Sequence, residues 1–178
     1  DLIQPVARGA SCLVWRARHR ELGVEVAVKV LTPAEGDPEA AAALDAEVRA
    51  TARLRHPHVV GVCDLGEVDE LAHALAGRGL PAGSPWVALE WVGGGSLASR
   101  RGALPWQACL DVLDQLLDAL GHAHASGLAH RDIKPGNLMW AGEDQGRPIV
   151  KLVDFGLAGV GHDTIAGTPA YMAPEQFR

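Results

Sequence analysis

The 178 residues hold 16 Lys and Arg against 22 Asp and Glu, a formal charge of −6, with 48% hydrophobic and 21% charged side chains. That balance suits a globular chain with a sizeable core, and the acidic pI near 5.7 argues against a nucleic-acid binder, which needs a basic face. Cys12, Cys63 and Cys109 are widely spaced without a Cys-x-x-Cys pair, so they indicate neither a disulfide framework nor a zinc site and fit a reducing compartment. No run reaches the ~18 apolar residues of a membrane helix, and the N-terminus lacks a signal pattern.

Leu2 to Arg8 and Leu13 to Arg18 read as strands around the small-residue turn Gly9-Ala10-Ser11-Cys12, with Arg16, Arg18, His19 and Arg20 at a solvated hairpin end. Val24 to Leu31 reads as a buried strand carrying a single lysine, Lys29, whose burial would demand an acidic partner. Asp37-Pro38-Glu39 has the order of an N-cap, an N1 proline and a first-turn acid, so a helix is predicted from there to Leu54. Spacing alone does not say which of its acids, Asp45 or Glu47, faces inward.

Val59 to Leu65 reads as a further strand. Gly66 to Pro85, rich in Gly and Ala, reads as a connecting insertion with a short helical turn near Leu71 to Leu75. The strand Trp86 to Val92 runs into Gly93-Gly94-Gly95-Ser96, a flexible joint of hinge type. Apolar residues at Trp106, Leu110, Leu113, Leu116, Leu117 and Leu120 predict a long amphipathic helix over Pro105 to Ala125. Leu138 to Trp140 and Ile149 to Val153 then form a hairpin across Ala141 to Pro148. His122, His124 and His130 read as hydrogen-bonded or buried histidines, because a metal set would need a fourth group.

The chemistry gathers in His130-Arg131-Asp132-Ile133-Lys134-Pro135-Gly136-Asn137. Asp132 can orient and deprotonate a hydroxyl, Lys134 can neutralise charge on a transferring phosphoryl group, and Asn137 can offer a carboxamide oxygen to magnesium. Behind the apolar run Ile149 to Val153 comes Asp154-Phe155-Gly156, a second oxygen ligand at a strand end. Alone, Asp-Phe-Gly is an ordinary turn; in order with the other motifs it is not.

Taken together these residues resemble the catalytic loop H-R-D-x-K-x-x-N and the metal-binding Asp-Phe-Gly of Ser/Thr protein kinases. Gly167-Thr168-Pro169-Ala170-Tyr171-Met172-Ala173-Pro174-Glu175 is similar to that family's G-T-x-x-Y-x-A-P-E substrate platform. The style of the sequence looks like that of bacterial, eukaryotic-like members. The resemblance implies an α+β, two-lobed kinase-like fold. Residues 1–92 would form a complete β-rich nucleotide lobe with a five-stranded sheet and one main helix; 93–178 would form the first half of a helical lobe, holding the catalytic loop and activation segment. The chain is then expected to be a fragment that stops just past Ala-Pro-Glu.

The resemblance also assigns roles. ATP and Mg²⁺, with Mn²⁺ as an alternative, are the expected cofactors, and Asn137 and Asp154 the metal ligands. Lys29, paired with Glu47, would hold the nucleotide beside Gly9, Val14, Ala27 and Met139, with Leu89 as gatekeeper, the backbone of Glu90 and Val92 at adenine and Ser96 near the ribose. The glycine loop reads Ala7-x-Gly9-x-x-Cys12-x-Val14 and keeps one of three glycines, which puts nucleotide affinity in doubt wherever φ must be positive. Thr164 would be a regulatory phosphoacceptor for Arg131, with Thr168 in the platform. The expected function is Ser/Thr phosphorylation of proteins, with protein substrates as partners, no nucleic acid, and self-association for autophosphorylation. A cytoplasmic place is expected for the visible segment, an anchor beyond residue 178 being left open. Two alternatives stay open: a pseudokinase scaffold, resting on the depleted glycine loop, and a small-molecule phosphotransferase, which would have little use for the platform.

Overall fold

The computed structural model of the protein describes residues 1–9, 12–31, 46, 48–76, 80–155 and 168–174. Ala10 and Ser11 of the first turn, most of the helix expected over 37–54 together with Glu47, the stretch 156–167 with Gly156, Thr164 and Gly167, and Glu175 lie outside these. The chain divides into two compact units, residues 1–46 with 61–91 and residues 47–60 with 92–178.

The first unit is a five-stranded antiparallel sheet in the order β1-β2-β3-β5-β4, built from Leu2–Arg8, Cys12–Arg18, Glu25–Leu31, Val62–Glu67 (β4) and Pro85–Glu90 (β5). The strand expected from Val59 begins only at Val62. Val59 instead bridges Leu152, and the Val60 N–H donates to the Leu152 carbonyl at 3.0 Å, so this apolar run is divided between the two units. The insertion before β5 holds a fuller helix than the one turn expected, α1 over Glu70–Ala76. Asp69 caps it, its carboxylate accepting the Ala72 N–H at 2.6 Å, and the His73 Nδ1–H donates to the Leu80 carbonyl at 2.7 Å. One face of the sheet thereby closes over a cluster of Val30, Val68 and Leu80, with Ala72 and Trp86 packed against it.

In the second unit the long helix, α2, spans Trp106–Ala125. It ends where Ser126-Gly127-Leu128 makes a Schellman motif: Gly127 has φ +76, its N–H reaches the His124 carbonyl, and the Leu128 N–H reaches that of Ala123. The apolar stripe read from the sequence divides here. Val112, Ala119 and Ala123 are buried, whereas Trp106, Leu113 and Leu117 are exposed, the first at 75%. A helix apolar on more than one face leaves the buried side to packing, and alanines allow the closest approach. That side joins Leu138, Trp140, Val150, Leu152 and Phe155 in one core cluster.

The hairpin is longer and tighter than expected. β6 is Leu138–Asp144 and β7 is Arg147–Leu152, joined by Gln145-Gly146, whose φ values of 50 and 76 are the pair a type I′ turn demands. The polar ends of these strands concealed them from a reading based on apolar runs. The triglycine joint is also not loose. The Trp140 N–H donates to the Gly95 carbonyl at 2.8 Å, and the Arg100 guanidinium lies 4.2 Å from the centre of the Trp140 ring. A Cβ added at Gly94 would run into the Trp140 carbonyl oxygen.

The same substitution therefore has opposite signs at two glycines. Gly94→Ala should lower unfolding free energy by about 1–3 kcal/mol through steric displacement of Trp140. Gly121→Ala, inside α2 with nothing within 4 Å of the added Cβ, should raise it by about 0.5–1 kcal/mol through helix propensity. Equilibrium urea denaturation of the two variants checks both.

Candidate active site

On the first unit, Lys29 is buried, 6% exposed, and stands in register with Val14 of β2 and Val87 of β5. Ala27, two residues earlier, stands opposite Leu89, so the two-residue period of the strand puts Val14, Ala27, Lys29 and Leu89 on one face. The expected partner of Lys29, Glu47, lies outside the described residues. The glycine loop is closed by the Gly9 N–H donating to the Cys12 carbonyl at 2.9 Å. Neither Ala7 nor Cys12 has positive φ; among described non-glycine residues only Arg131, Gln145 and Asp154 do. The conformational penalty expected from the two missing glycines does not arise at these positions. Glu90 is anchored on both sides of its Cα: its N–H donates to the Gly61 carbonyl at 2.8 Å, and its carboxylate accepts the Gly61 N–H at 3.3 Å.

On the second unit the polar residues of the loop converge on one carboxylate. Asp132 Oδ2 accepts the Lys134 ammonium at 2.7 Å and the Asn137 carboxamide N–H at 3.1 Å. Its Oδ1 accepts the Thr168 N–H at 3.1 Å and the Thr168 hydroxyl at 3.2 Å, while Lys134 also donates to Thr168 Oγ1 at 2.7 Å. Burial by itself would raise the Asp132 pKa. The hydrogen bonds from Lys134, Asn137 and Thr168 and the ammonium charge outweigh it and hold the carboxyl below its ordinary range. The second hydrogen of Asn137 Nδ2 goes to the Asp132 carbonyl at 2.8 Å. Ser96 and Met139, expected together at the nucleotide, are joined by an antiparallel bridge, and Val92 is buried.

This loop is stitched to the end of β7. His130, 2% exposed, donates Nε2–H to the Val153 carbonyl at 2.8 Å, its Nδ1 accepts the Asp132 N–H at 3.3 Å, and its ring leans on Phe155 at 4.8 Å. The Val153 N–H in turn donates to the Asn137 carbonyl at 2.9 Å. Arg131 and Asp154 take φ of 65 and 63, left-handed conformations that cost a non-glycine residue roughly 1–2 kcal/mol and that these bonds on either side hold in place.

Every residue of the chain, 1–178, matches the protein kinase domain model. The chain belongs to the protein kinase family. It is 38% identical to the serine/threonine-protein kinase PknA of Mycobacterium tuberculosis over 182 residues, covering 96% of this chain and 39% of that protein. It is equally 38% identical to CBL-interacting protein kinase 4 of rice, Oryza sativa subsp. japonica, over 193 residues and 39% of that protein. The chain thus spans well under half the length of these relatives. Among solved structures, the PknI kinase domain of M. tuberculosis is similar with a TM-score of 0.69 and 31% identity, over 88% of this chain and 58% of that one. The architecture is accordingly that of a kinase domain, an antiparallel sheet in the small lobe followed by a helical part.

Some residues that brace this candidate site carried no sequence signal. Gln115 of α2 grips β7 with both ends of its amide, donating to the Pro148 carbonyl at 2.7 Å and accepting the Val150 N–H at 2.9 Å. His58 bonds the Val150 carbonyl at 3.0 Å through Nδ1, and Tyr171 Oη accepts from Arg101 at 3.0 Å. A glutamine on a helix and an arginine in a loop look like solvated residues until their partners are placed.

His130 makes stability depend on pH in a definite direction. Burial, the largest influence, lowers its pKa below 6.5, although the hydrogen bond to the Val153 carbonyl and the charges of Asp154 and Asp132 pull the other way. Below 6.5 the unfolded ring takes up a proton that the folded ring refuses, so stability is full above that value and declines as pH falls toward the lower folded pKa. Asp132, with a depressed pKa, has its contribution in place above the ordinary carboxylate range and loses it only as pH falls through its lower folded value. The two windows are separable. The urea midpoint should fall between about pH 7 and about pH 5, and His130→Asn should flatten that decline while lowering the midpoint throughout.

Proposed function

We propose that this chain is the catalytic part of a protein serine/threonine kinase, moving the γ-phosphoryl group of ATP to Ser or Thr hydroxyls of protein substrates. The observation that carries this reading is the set of donors around Asp132: a carboxylate kept ionised yet already holding an alcohol O–H, that of Thr168, at 3.2 Å. An incoming substrate hydroxyl would be oriented by the same carboxylate and give up its proton to it. Lys134 supplies a compact positive charge beside that exchange, and in this family a lysine two residues after the aspartate belongs with Ser/Thr specificity. Lys29 would hold the nucleotide phosphates. The scaffold alternative rested on the glycine loop, where neither Ala7 nor Cys12 takes the positive φ that would make a missing glycine costly.

The donor set suits a hard divalent cation. Asn137 spends both amide hydrogens on Asp132, which turns its carboxamide oxygen into the available donor, and Asp154 offers a carboxylate. Magnesium, with manganese as the alternative, would supply neutralisation of phosphate charge when bound there. We read 1–92 as the nucleotide lobe and 93–178 as the part of the substrate lobe with the catalytic loop and platform. Thr164 is proposed as the phosphoacceptor that Arg131 would pair with, phosphorylated by a second copy of the kinase, and a cytoplasmic place is proposed for this segment; among the described residues no helix is long and apolar enough to cross a membrane.

Transfer of labelled phosphate from ATP to a generic Ser/Thr substrate tests the proposal. Lys29→Met, Asp132→Asn and Asp154→Asn should each lower the rate by ~10³-fold or more, and Asp132→Asn should leave ATP binding nearly intact. Near-normal transfer by the two aspartate variants, or ATP binding without any transfer by the unaltered kinase, would sink it.

A further inference from the structure

Arg101 stands at the edge of the platform, and a tight turn holds it there. The Ala103 N–H donates to the Arg100 carbonyl at 3.0 Å, Arg101 has φ −57 and ψ 124, and Gly102 has φ +74, which is the geometry of a type II turn with Arg101 at its first corner and glycine at its second. Arg100 fixes the base of that turn, its guanidinium lying over the Trp140 ring and donating to the Gly94 carbonyl at 3.4 Å. Arg101 itself stays exposed and donates to Tyr171 Oη at 3.0 Å, across 70 residues of sequence. Tyr171 is tied in turn to Asp132. Its N–H donates to the Thr168 carbonyl at 2.8 Å, closing the 3₁₀ turn Pro169–Tyr171, and Thr168 is bound to Asp132 through both its N–H and its hydroxyl.

Both side chains have donors to spare. A guanidinium carries five N–H donors and a tyrosine one O–H. Among the described residues Arg101 donates to Tyr171 and faces no carboxylate, and the Tyr171 O–H, its oxygen already accepting from Arg101, has no acceptor. An exposed cation and an exposed O–H 3.0 Å apart make a two-pronged site for a carboxylate, which can accept from each on a separate oxygen.

We propose, resting on the kinase reading above, that Arg101 and Tyr171 select protein substrates carrying an Asp or Glu side chain a short distance along the chain from the hydroxyl to be phosphorylated. That hydroxyl belongs at Asp132, where Thr168 holds its place. Thr168 and Tyr171 lie within one 3₁₀ turn, about 6 Å along its axis, and the tyrosine ring carries Oη further out. An extended peptide covers ~3.3 Å per residue, so the acidic side chain falls about two to four residues from the phosphoacceptor.

The test measures phosphoryl transfer by the kinase to synthetic peptides with one Ser in a neutral background, a single Glu being moved along the positions on either side of the Ser, with Gln and Lys at the same places as controls. One position, about two to four residues from the Ser, is expected to raise kcat/KM over the Gln peptide by ~5- to 20-fold, as a charge-assisted pair at a surface does. Arg101→Gln should bring the Glu and Gln peptides level, Arg101→Glu should make the Lys peptide the better substrate, and Tyr171→Phe should reduce the Glu preference in part. A purely bracing role for the Arg101–Tyr171 contact would leave the order of the peptides unmoved. Affinities of the same peptides with Ala in place of Ser, read by fluorescence anisotropy, report the preference without any transfer. Equal kcat/KM and equal affinity for the Glu and Gln peptides, or a Glu preference that survives Arg101→Glu, would overturn the proposal. Absence of transfer to every peptide counts against the kinase reading instead, and the order of affinities still decides this one.

Discussion

The hydrogen bond from His130 Nε2–H to the Val153 carbonyl ties the loop His130 to Asn137 to the end of the β6-β7 hairpin. On one side of it the ring's other nitrogen receives the Asp132 N–H, which fixes the backbone of that residue. On the other side, Val153 is the residue before Asp154, and its N–H is bound to the Asn137 carbonyl. Asp132, Asn137 and Asp154 are thereby placed by one buried imidazole, and the ring can do this only while neutral, since a protonated Nδ1 could not accept. Burial against Phe155 and within the core enforces that state, so packing and protonation act in the same direction.

The strain stored at Arg131 and Asp154 follows from the same arrangement. Each has left-handed backbone geometry beside a residue whose position is doubly determined, and each projects a charged side chain from a turn that a relaxed backbone would not make. β7 has to be rigid for this to hold. Its carbonyls and amides are taken by β6 on one side and by Gln115 and His58 on the other, while Val150 and Leu152 are essentially fully buried.

The first unit divides its work between the two faces of one sheet. Strand alternation sends Val14, Ala27, Lys29 and Leu89 to one side and Trp15, Val26, Val28 and Ala88 to the other. The first side holds the buried Lys29 ammonium; the second is apolar, with α1 packed against it. A one-residue slip between β2 and β3 would exchange the two sides, which is why the unbroken register of Cys12–Arg18 against Glu25–Leu31 matters more than any one contact in it.

Chain-local features were settled by the sequence alone. The apolar strand around Lys29, the apolar spacing of α2 and the order of polar residues from His130 to Asn137 depend on neighbours a few positions away, and pattern reads such relations directly. What joins residues far apart could only be decided by the tertiary structure. Thr168 reaching Asp132, Gln115 gripping Pro148 and Val150, Trp140 pinning the glycine joint and Val59 leaving the β4 run for Leu152 all span tens of residues, and each partner alone resembles an ordinary surface or loop residue. The same holds for which face of α2 is buried, because Trp106, Leu113 and Leu117 are as apolar as Val112 and Ala119. Hydrophobicity is a property of the residue; burial is a property of what packs against it.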